Sequence, residues 1–501
     1  ITMDGLSYKQ ASKFLDAATM GIKKGDVEAL LVNDDRNGWI DQQINLSYTN
    51  HVSQTLVQQQ QRGQTTLTQE MRVCAWFDLA LQDDAQLRQR VAFALSQILV
   101  VGDRDAQLAP YPLELANYYD ILTTYAFSDY KTLLYHVTRS PIMGHYLTMV
   151  GNLPKSQTGV NPDQNYAREI MQLFTIGLNK LNPDGTLYLD LEGNPKANYD
   201  DADVEDMARI FTGWFMSNSS MNAPMEANDV YHDMESKEVL GESFPAGVGA
   251  EQELEHVLDV LVKHPNTAPN ISTLLIKRFV TSNPTPAYVE RVSSVFKQTD
   301  GDLAAVIKAV LLDDEVNAEG SLFRAKLREP ILAMTYLYRA LDSKPGAGAT
   351  ITPNAMLYQD TFGQYPLGSP SVFNFYSPDY LPMGGLGEQG LTAPELEIID
   401  WNQTVKMSNI AWKLVTDNGY KTSSNSSGEL YPDVSDFVSA SGDYSQLINL
   451  IANRFFGGEV PVDLAPRFEG LWNAKSNNNK PYSVSAMLYF AFISPNFMVQ
   501  E

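Results

Sequence analysis

The chain carries one cysteine, Cys74, in 501 residues. A single thiol excludes an internal disulfide and a thiolate zinc cluster, and it fits the cytosol and a bacterial envelope space equally well. Cations are also scarce: 36 Lys and Arg stand against 60 Asp and Glu, a formal net charge of −24. A surface this acidic repels nucleic acid and anionic membrane, because phosphate recognition needs clustered Lys and Arg. It suits salty surroundings or the binding of cations. No apolar run approaches the roughly 18 residues of a spanning helix, so no membrane span is expected. The first residues, "ITMDGLSYKQ", include neither an initiator Met nor a charged-then-apolar leader. Removal of an export signal is the expected reason, ahead of trimming of the chain.

Familiar catalytic signatures are missing as well. There is no Gly-x-Ser-x-Gly elbow, no P-loop and no His-Glu-x-x-His helix. Gly385, Gly387 and Gly390 spell Gly-x-Gly-x-x-Gly. They follow Pro382 in a loop, with no strand before them and no βαβ context, so a dinucleotide site is not expected there. The six histidines are His51, His136, His145, His232, His256 and His264. None forms a close metal-ligand pair, and each is expected to be a surface or capping residue. Strand signals are few, and no repeat of fixed period is found.

What is present is helical periodicity. "DDAQLRQRVAFALSQILVV", residues 83–101, is apolar around most of its circumference and is expected to be a buried helix, interrupted by Arg90, Ser96 and Gln97. Several periodic stretches start at Ser, Asp or Asn, whose side chains accept the free amide protons of a first turn. The expected fold is mainly α: a large multi-helix body with one small β-hairpin near residues 181–195, where Asp-Gly and Gly-Asn bracket alternating residues. Two stretches read as loops, residues 342–354 and 419–432. The first would divide a helical core, 1–345, from a C-terminal helical part, 346–501, packed on it as one continuous body.

Two helical stretches carry charge on one side. In "NYAREIMQLFTIG", at about 100° per residue, Arg168, Glu169, Gln172 and Thr175 fall within about 120° of arc, counted from Asn165. Asp201, Glu205, Arg209 and Thr212 share one side of the stretch from Asp201 to Trp214. As solvated faces, such pairs contribute a few tenths of a kcal/mol each. The sharper expectation is that the two polar faces meet, with Arg90 from the buried helix, because charge inside a helical body must be paired. The candidate ligand-binding side chains are then Asn165, Arg168, Arg209, Trp214 and Lys237. Glu169, His232 and Asp233 are the catalytic candidates, since neighbouring His and Asp serve as a base with its orienting group or as metal ligands. No organic cofactor is expected. The acidic residues Asp200, Asp201 and Asp203, with Asp184 and Asp190 of the hairpin, would supply the converging oxygens that calcium needs, although the EF-hand spacing is absent. Helix-start chemistry is the plainer reading of Asp200, Asp201 and Asp203.

Seven blocks, taken in order, resemble one family: "LRQRVAFALSQILVVG", "NYAREIMQLFTIGLNKLNPDGT", "YDDADVEDMARIFTGW", "HDMESKEVLG", "SPSVFNFYSPDYLP", "LTAPELEI" and "AMLYFAFISPNFMVQE". The chain is similar along nearly its whole length to the bacterial domain-of-unknown-function family 1800. The resemblance implies a large, mainly α-helical, exported bacterial protein with no established reaction. It also implies a protein partner from the neighbouring uncharacterised family 1501. The recurrent positions of the family map to 165–169, to Ala208, Arg209, Thr212, Gly213 and Trp214, and to His232, Asp233, Lys237, Leu240 and Gly241. "SPSVFNFYSPDY" resembles one branch; another has a Gly-Trp-Pro version, and a role tied to that Trp does not transfer.

Two functions follow. One is a non-catalytic binding or assembly component of the cell surface or extracellular space. The alternative is a hydrolase-like enzyme acting on an extracellular polymer or envelope component, with Glu169 or Asp233 and His232 as acid and base and Arg168 and Arg209 holding an anionic group. The enzyme requires these side chains to share one concave pocket.

Overall fold

The periodic stretches fold as helices, and a short polar side chain starts many of them. Ser7, Asn50, Thr68, Asp129, Asp200 and Asp443 each accept a backbone amide from the first turn that follows. The computed structural model describes residues 5–317, 325–346, 350–351, 362–418, 430–474 and 479–500. Over these residues the chain is mainly α-helical, with three small two-stranded sheets.

Three helices are buried around their whole circumference: Gln69–Gln82, Gln86–Ser96 and Pro330–Ala340. The first packs against His51–Gln61, Pro112–Thr124 and Pro330–Ala340, and the second against Pro112–Thr124, Arg36–Asn45, Thr267–Phe279 and Tyr8–Ala18. One hydrophobic cluster runs from Ala11 to Phe497. The later part of the chain is stitched to the earlier part by buried arginines and a sheet. Arg72 Nη1 donates to the Pro366 carbonyl at 2.9 Å and Arg454 Nη1 to the Ala340 carbonyl at 2.6 Å. Strands β5 (Lys326–Leu327) and β6 (Val499–Gln500) pair antiparallel.

The helix expected over 83–101 occupies only Gln86–Ser96. Asp83 instead accepts the Ala85 amide at 2.9 Å. At the other end the β-branched Val100 and Val101 lead into non-helical chain that bonds through the Asp103 amide to the Leu367 carbonyl. An apolar run buried on every side has no periodicity to mark its ends. The hairpin near 181–195 consists of isolated bridges, Leu181↔Leu187 and Leu189↔Pro195, with no continuous ladder. The sheets lie elsewhere: β1 (Trp214–Phe215) with β2 (Glu226–Ala227), β3 (Lys237–Val239) with β4 (Glu242–Phe244), and β5 with β6. Segments of two or three residues are too short to show an alternating pattern. Residues 385–388 form a single helical turn with no strand before it. Parts of the loops at 342–354 and 419–432 lie outside the described residues. Among the described residues no helix is long and apolar enough to cross a membrane.

Two histidines depart from expectation: His51 and His232 are buried, not superficial, and His51 Nδ1 lies 3.1 Å from Asp120 Oδ1. Cys74 is buried as well, and burial pushes its thiol up to about 12.

Gly21 marks the tightest crossing of the early chain over the central helices. Its φ is +133°, and a Cβ there would lie 2.4 Å from Tyr336 Cα on the Pro330–Ala340 helix. Its carbonyl accepts Arg339 Nε at 2.6 Å. Gly21→Ala is expected to destabilise the chain by about 2–4 kcal/mol, from backbone strain and overpacking together, read as a fall in the urea midpoint.

Candidate functional site

The Asp201–Ile210 helix begins at Asp200, whose Oδ1 accepts the amides of Ala202 and Asp203 at 2.9 and 3.1 Å. Asp203 returns the bond by accepting the Asp200 amide, and its other oxygen takes the Leu240 amide at 2.7 Å. That second bond anchors the turn between β3 and β4. The turn has positive φ at Leu240 (54°) and Gly241 (80°), as a two-residue type I′ connection demands. The same helix ends in the Thr212–Gly213–Trp214 corner. Gly213 has φ +84°, and a Cβ there would meet the His232 amide nitrogen and the Asn228 carbonyl at 3.0 Å. Only glycine lets the chain carrying His232 approach this closely.

That approach assembles a lattice of charge. Arg209 grips Asp233 with two parallel bonds of 3.0 Å, Nε to Oδ2 and Nη2 to Oδ1, and its Nη1 reaches Asp206 at 2.7 Å. Thr212 Oγ1 accepts the Asp233 amide at 2.8 Å. Next to Asp233, His232 Nδ1 sits 2.9 Å from the Thr212 carbonyl, and Nε2 sits 3.1 Å from Glu253 Oε2. Both ring nitrogens thus lie within hydrogen-bond reach of an oxygen, so neither faces open space. Glu253 gives its other oxygen to Lys237 Nζ at 2.8 Å. Lys237 also donates to the carbonyls of Asp233 (2.6 Å) and Glu235 (3.0 Å). Arg209 and Lys237, with the His232 ring, thus face Asp206, Asp233, Glu253 and, at 3.6 Å, the exposed Glu235. Hydrogen bonding to Asp233 raises the Arg209 guanidinium above its ordinary value. Burial opposes the Asp233 charge, but Arg209 outweighs it and holds the carboxyl below the usual range. The side chains of His232 and Lys237 are 0% exposed and that of Glu253 1%.

The other candidates lie outside this lattice. The Asn165–Gln172 helix meets the Asp201–Ile210 segment through apolar faces, with Tyr166 edge-on to Phe211 at 4.9 Å. The expected meeting of polar faces is therefore corrected. Successive helical residues point about 100° apart, so Arg168 and Glu169 part company. Arg168, 45% exposed, reaches Asp201 (97% exposed) at only 3.7 Å. Glu169 turns inward, 8% exposed, with Oε2 unpartnered. Burial raises its carboxyl above the ordinary range, partly offset by Arg168. Among the described residues no hydrogen bond or ion pair joins Glu169 to His232, Asp233 or Arg209. Asn165 begins its helix by donating its amide to Asp163 Oδ1 at 2.8 Å. Trp214 is fully buried, beneath Arg139. Arg90 is not part of this set: it donates to the Arg278 carbonyl at 2.6 Å and lies over the Phe279 ring.

The calcium ligands are not brought together either. Asp184 Oδ1 accepts the Thr186 amide and hydroxyl, and Asp190 Oδ1 the amides of Glu192 and Asn194, each within its own turn. Asp200 and Asp203 serve the helix cap, and Asp201 points to solvent. Among the described residues no three His, Cys, Asp or Glu side chains converge as a metal site.

A family profile described as "Protein of unknown function (DUF1800)" matches residues 13–499. The chain belongs to that family. Comparison with curated proteins and with solved structures gave no match. The Arg209–Trp214 corner and the 232–241 segment are joined directly, by Arg209 and Thr212 to Asp233, and one residue outside both, Glu253, ties down His232 and Lys237 of the second. On the Ala250–Lys263 helix it falls in line with the buried Ala250, Leu254 and Val257. A carboxylate inside an apolar stripe is the signal that could have found it.

Glu253→Leu leaves Lys237 and His232 buried without a counter-charge and is expected to cost about 3–5 kcal/mol in urea denaturation. The loss in the Lys237→Met/Glu253→Leu double variant should be well below the sum of the single losses; additive losses would contradict the coupling. Glu169→Gln has the opposite sign. A raised carboxyl means that the folded state prefers the protonated form, so Glu169 costs stability once pH rises above the unfolded value of about 4.3. The Gln variant should be the more stable near pH 7, and its advantage should vanish near pH 4, as urea midpoints at the two values would reveal.

Proposed function

We propose that this chain is an exported bacterial binding or assembly component, not an enzyme working through Glu169, His232 and Asp233. The observation that carries this reading is the closure of the lattice. His232 has both ring nitrogens engaged, Asp233 is held in a two-bond clamp, and Lys237 and Glu253 are shut off from water. A general base has to reach a substrate proton, and a charge already answered inside the fold has nothing to offer a ligand. The acidic composition suits salty surroundings, and the family resemblance makes export the expected fate and a protein of the neighbouring family 1501 the first partner to test. The reading requires no cofactor.

One observation favours the hydrolase alternative. Glu169 is a buried carboxyl raised above its ordinary range, the environment of a general acid. It has no neighbouring base among the described residues, so it supports at most half of an acid–base pair.

Assays of the purified chain on nitrophenyl esters, nitrophenyl glycosides and soluble polysaccharides test the two readings. No turnover is expected. Turnover that disappears in Glu169→Ala, with the circular dichroism spectrum unchanged, would sink the binding reading.

A further inference from the structure

We propose that the cavity under the Pro370–Pro378 loop binds a small organic carboxylate with an apolar body, and that the Arg278 guanidinium takes its charge. This deepens the binding reading above and rests on it. The cavity measures about 380 Å³ and lies between that loop and the Thr267–Phe279 helix, with Gln97 and Ile98 at the end of the Gln86–Ser96 helix closing it. A volume of this order suits a small molecule.

One charge at the cavity wall has no partner among the described residues. Arg278 lines the cavity, is 5% exposed, and lies with its guanidinium carbon 4.9 Å from the centroid of the Tyr376 ring. Among the described residues its side chain donates no hydrogen bond and joins no ion pair. A guanidinium has five N–H donors, and those of Arg278 are left for whatever occupies the cavity it lines. The surrounding charges do not cancel. Lys326 is paired with Glu395. That leaves Glu329 as the buried carboxylate for both Arg90 and Arg278, and it touches neither. Its Oε2 accepts the side-chain amides of Gln97 and Gln364 at 2.5 Å each, while the charges of Lys326, Arg278 and Arg90 overcome its burial and hold it below the usual range. Arg90 Nε and Nη1 and Gln97 Oε1 are also buried without partners, and the Tyr376 hydroxyl faces Glu329. Three cations against two carboxylates leave one positive charge over, at a wall that a ligand can reach.

The rest of the lining defines the ligand's other half. Ile98, Leu274, Phe373 and Phe375 are apolar, and Phe373 is 58% exposed at the rim. Glu397 is exposed at the mouth, with one oxygen taking the Ser377 amide at 2.7 Å, so water screens its charge. A carboxylate matches the planar fork of Arg278, and an apolar or aromatic body covers Phe373. The cavity also shares Leu274 and Pro378 with a neighbouring groove of about 820 Å³, which gives a longer ligand room to continue.

Isothermal titration of the full chain with phenylacetate, phenylacetamide and inorganic phosphate tests the site. Phenylacetate is expected to bind at least ~10-fold more tightly than either control, because only it offers both a paired charge and an apolar body. Arg278→Gln should weaken phenylacetate by at least ~10-fold with near-ultraviolet circular dichroism unchanged. Should that variant fail to fold, Phe373→Ala changes only the exposed rim and should weaken phenylacetate about 3- to 10-fold. Equal affinity for acid and amide, phosphate bound as tightly as phenylacetate, full affinity in folded Arg278→Gln, an unaltered Phe373→Ala, or no binding of phenylacetate would each overturn the proposal. None of these outcomes touches the non-catalytic reading, which falls only to turnover that depends on Glu169.

Discussion

Glu253 stands in the first turn of its helix with 1% of its side chain exposed, and its charge has to be answered inside the protein. The positive end of the helix dipole favours a carboxylate there, but only by a fraction of what full burial costs. The balance comes from His232 and Lys237, and both arrive on a stretch with little apolar surface of its own. Residues 228–244 hold one short 3₁₀ turn and two strands of three residues each. The buried apolar side chains of this stretch, Val239 and Phe244, lie at the end of the segment, and the part that carries His232 and Asp233 adds charge instead. It is ordered because its cations belong to Glu253 and its Asp233 belongs to Arg209. An apolar replacement of comparable volume would hold the helices as well, or better. What the charged version adds is register: an arginine fork, an imidazole and an ammonium fit these carboxylates in one arrangement only.

The same logic explains which parts of the molecule were legible in the sequence. Helices with a polar face announced themselves by period, and their starts by Ser, Asn and Asp. Helices buried all round gave their existence but not their ends, which is why Gln86–Ser96 is shorter than its apolar run. Arg209 stood out because Asp206 lies three residues before it and because it shares a side with other charged residues. Glu253 did not, because Glu251 and Glu255 flank it and the three together look like ordinary helix-start acids. Only the helical projection separates them, placing Glu253 alone with Leu254 and Val257. Arg168 and Glu169 misled in the opposite way. Adjacency in sequence suggested a pair, while the turn of the helix sends one to water and the other inward.

Long-range partners were illegible for a simpler reason. Glu329 gathers amides from Gln97 and Gln364, residues 232 and 35 positions away. No local pattern encodes such a meeting. The acids of the hairpin and of the Asp200 cap show the converse error: five carboxylates close in sequence suggested convergence, yet four accept backbone amides, Asp203 also that of Leu240, and the exposed Asp201 faces Arg168. Local backbone demand, which one residue can satisfy, outcompeted a cation site, which needs several oxygens aimed at one point.

The two buried charge clusters therefore differ in kind. Around Glu253 each buried charged group has a close partner, so the cluster holds the fold together and is silent toward anything outside. Around Glu329 the signs do not balance, and the surplus guanidinium borders a cavity. A chain with a net charge of −24 resists the approach of any anion at long range. An anion site in such a protein has to act at short range, through a cation set back in a cavity, where its field is least screened. Arg278 meets that condition because the fold sets it beside Tyr376 at the cavity wall, while the buried Glu329 is engaged by two amides. The acidic exterior then filters what reaches the cavity, and a ligand with apolar bulk and one negative charge loses less on approach than a multiply charged phosphate.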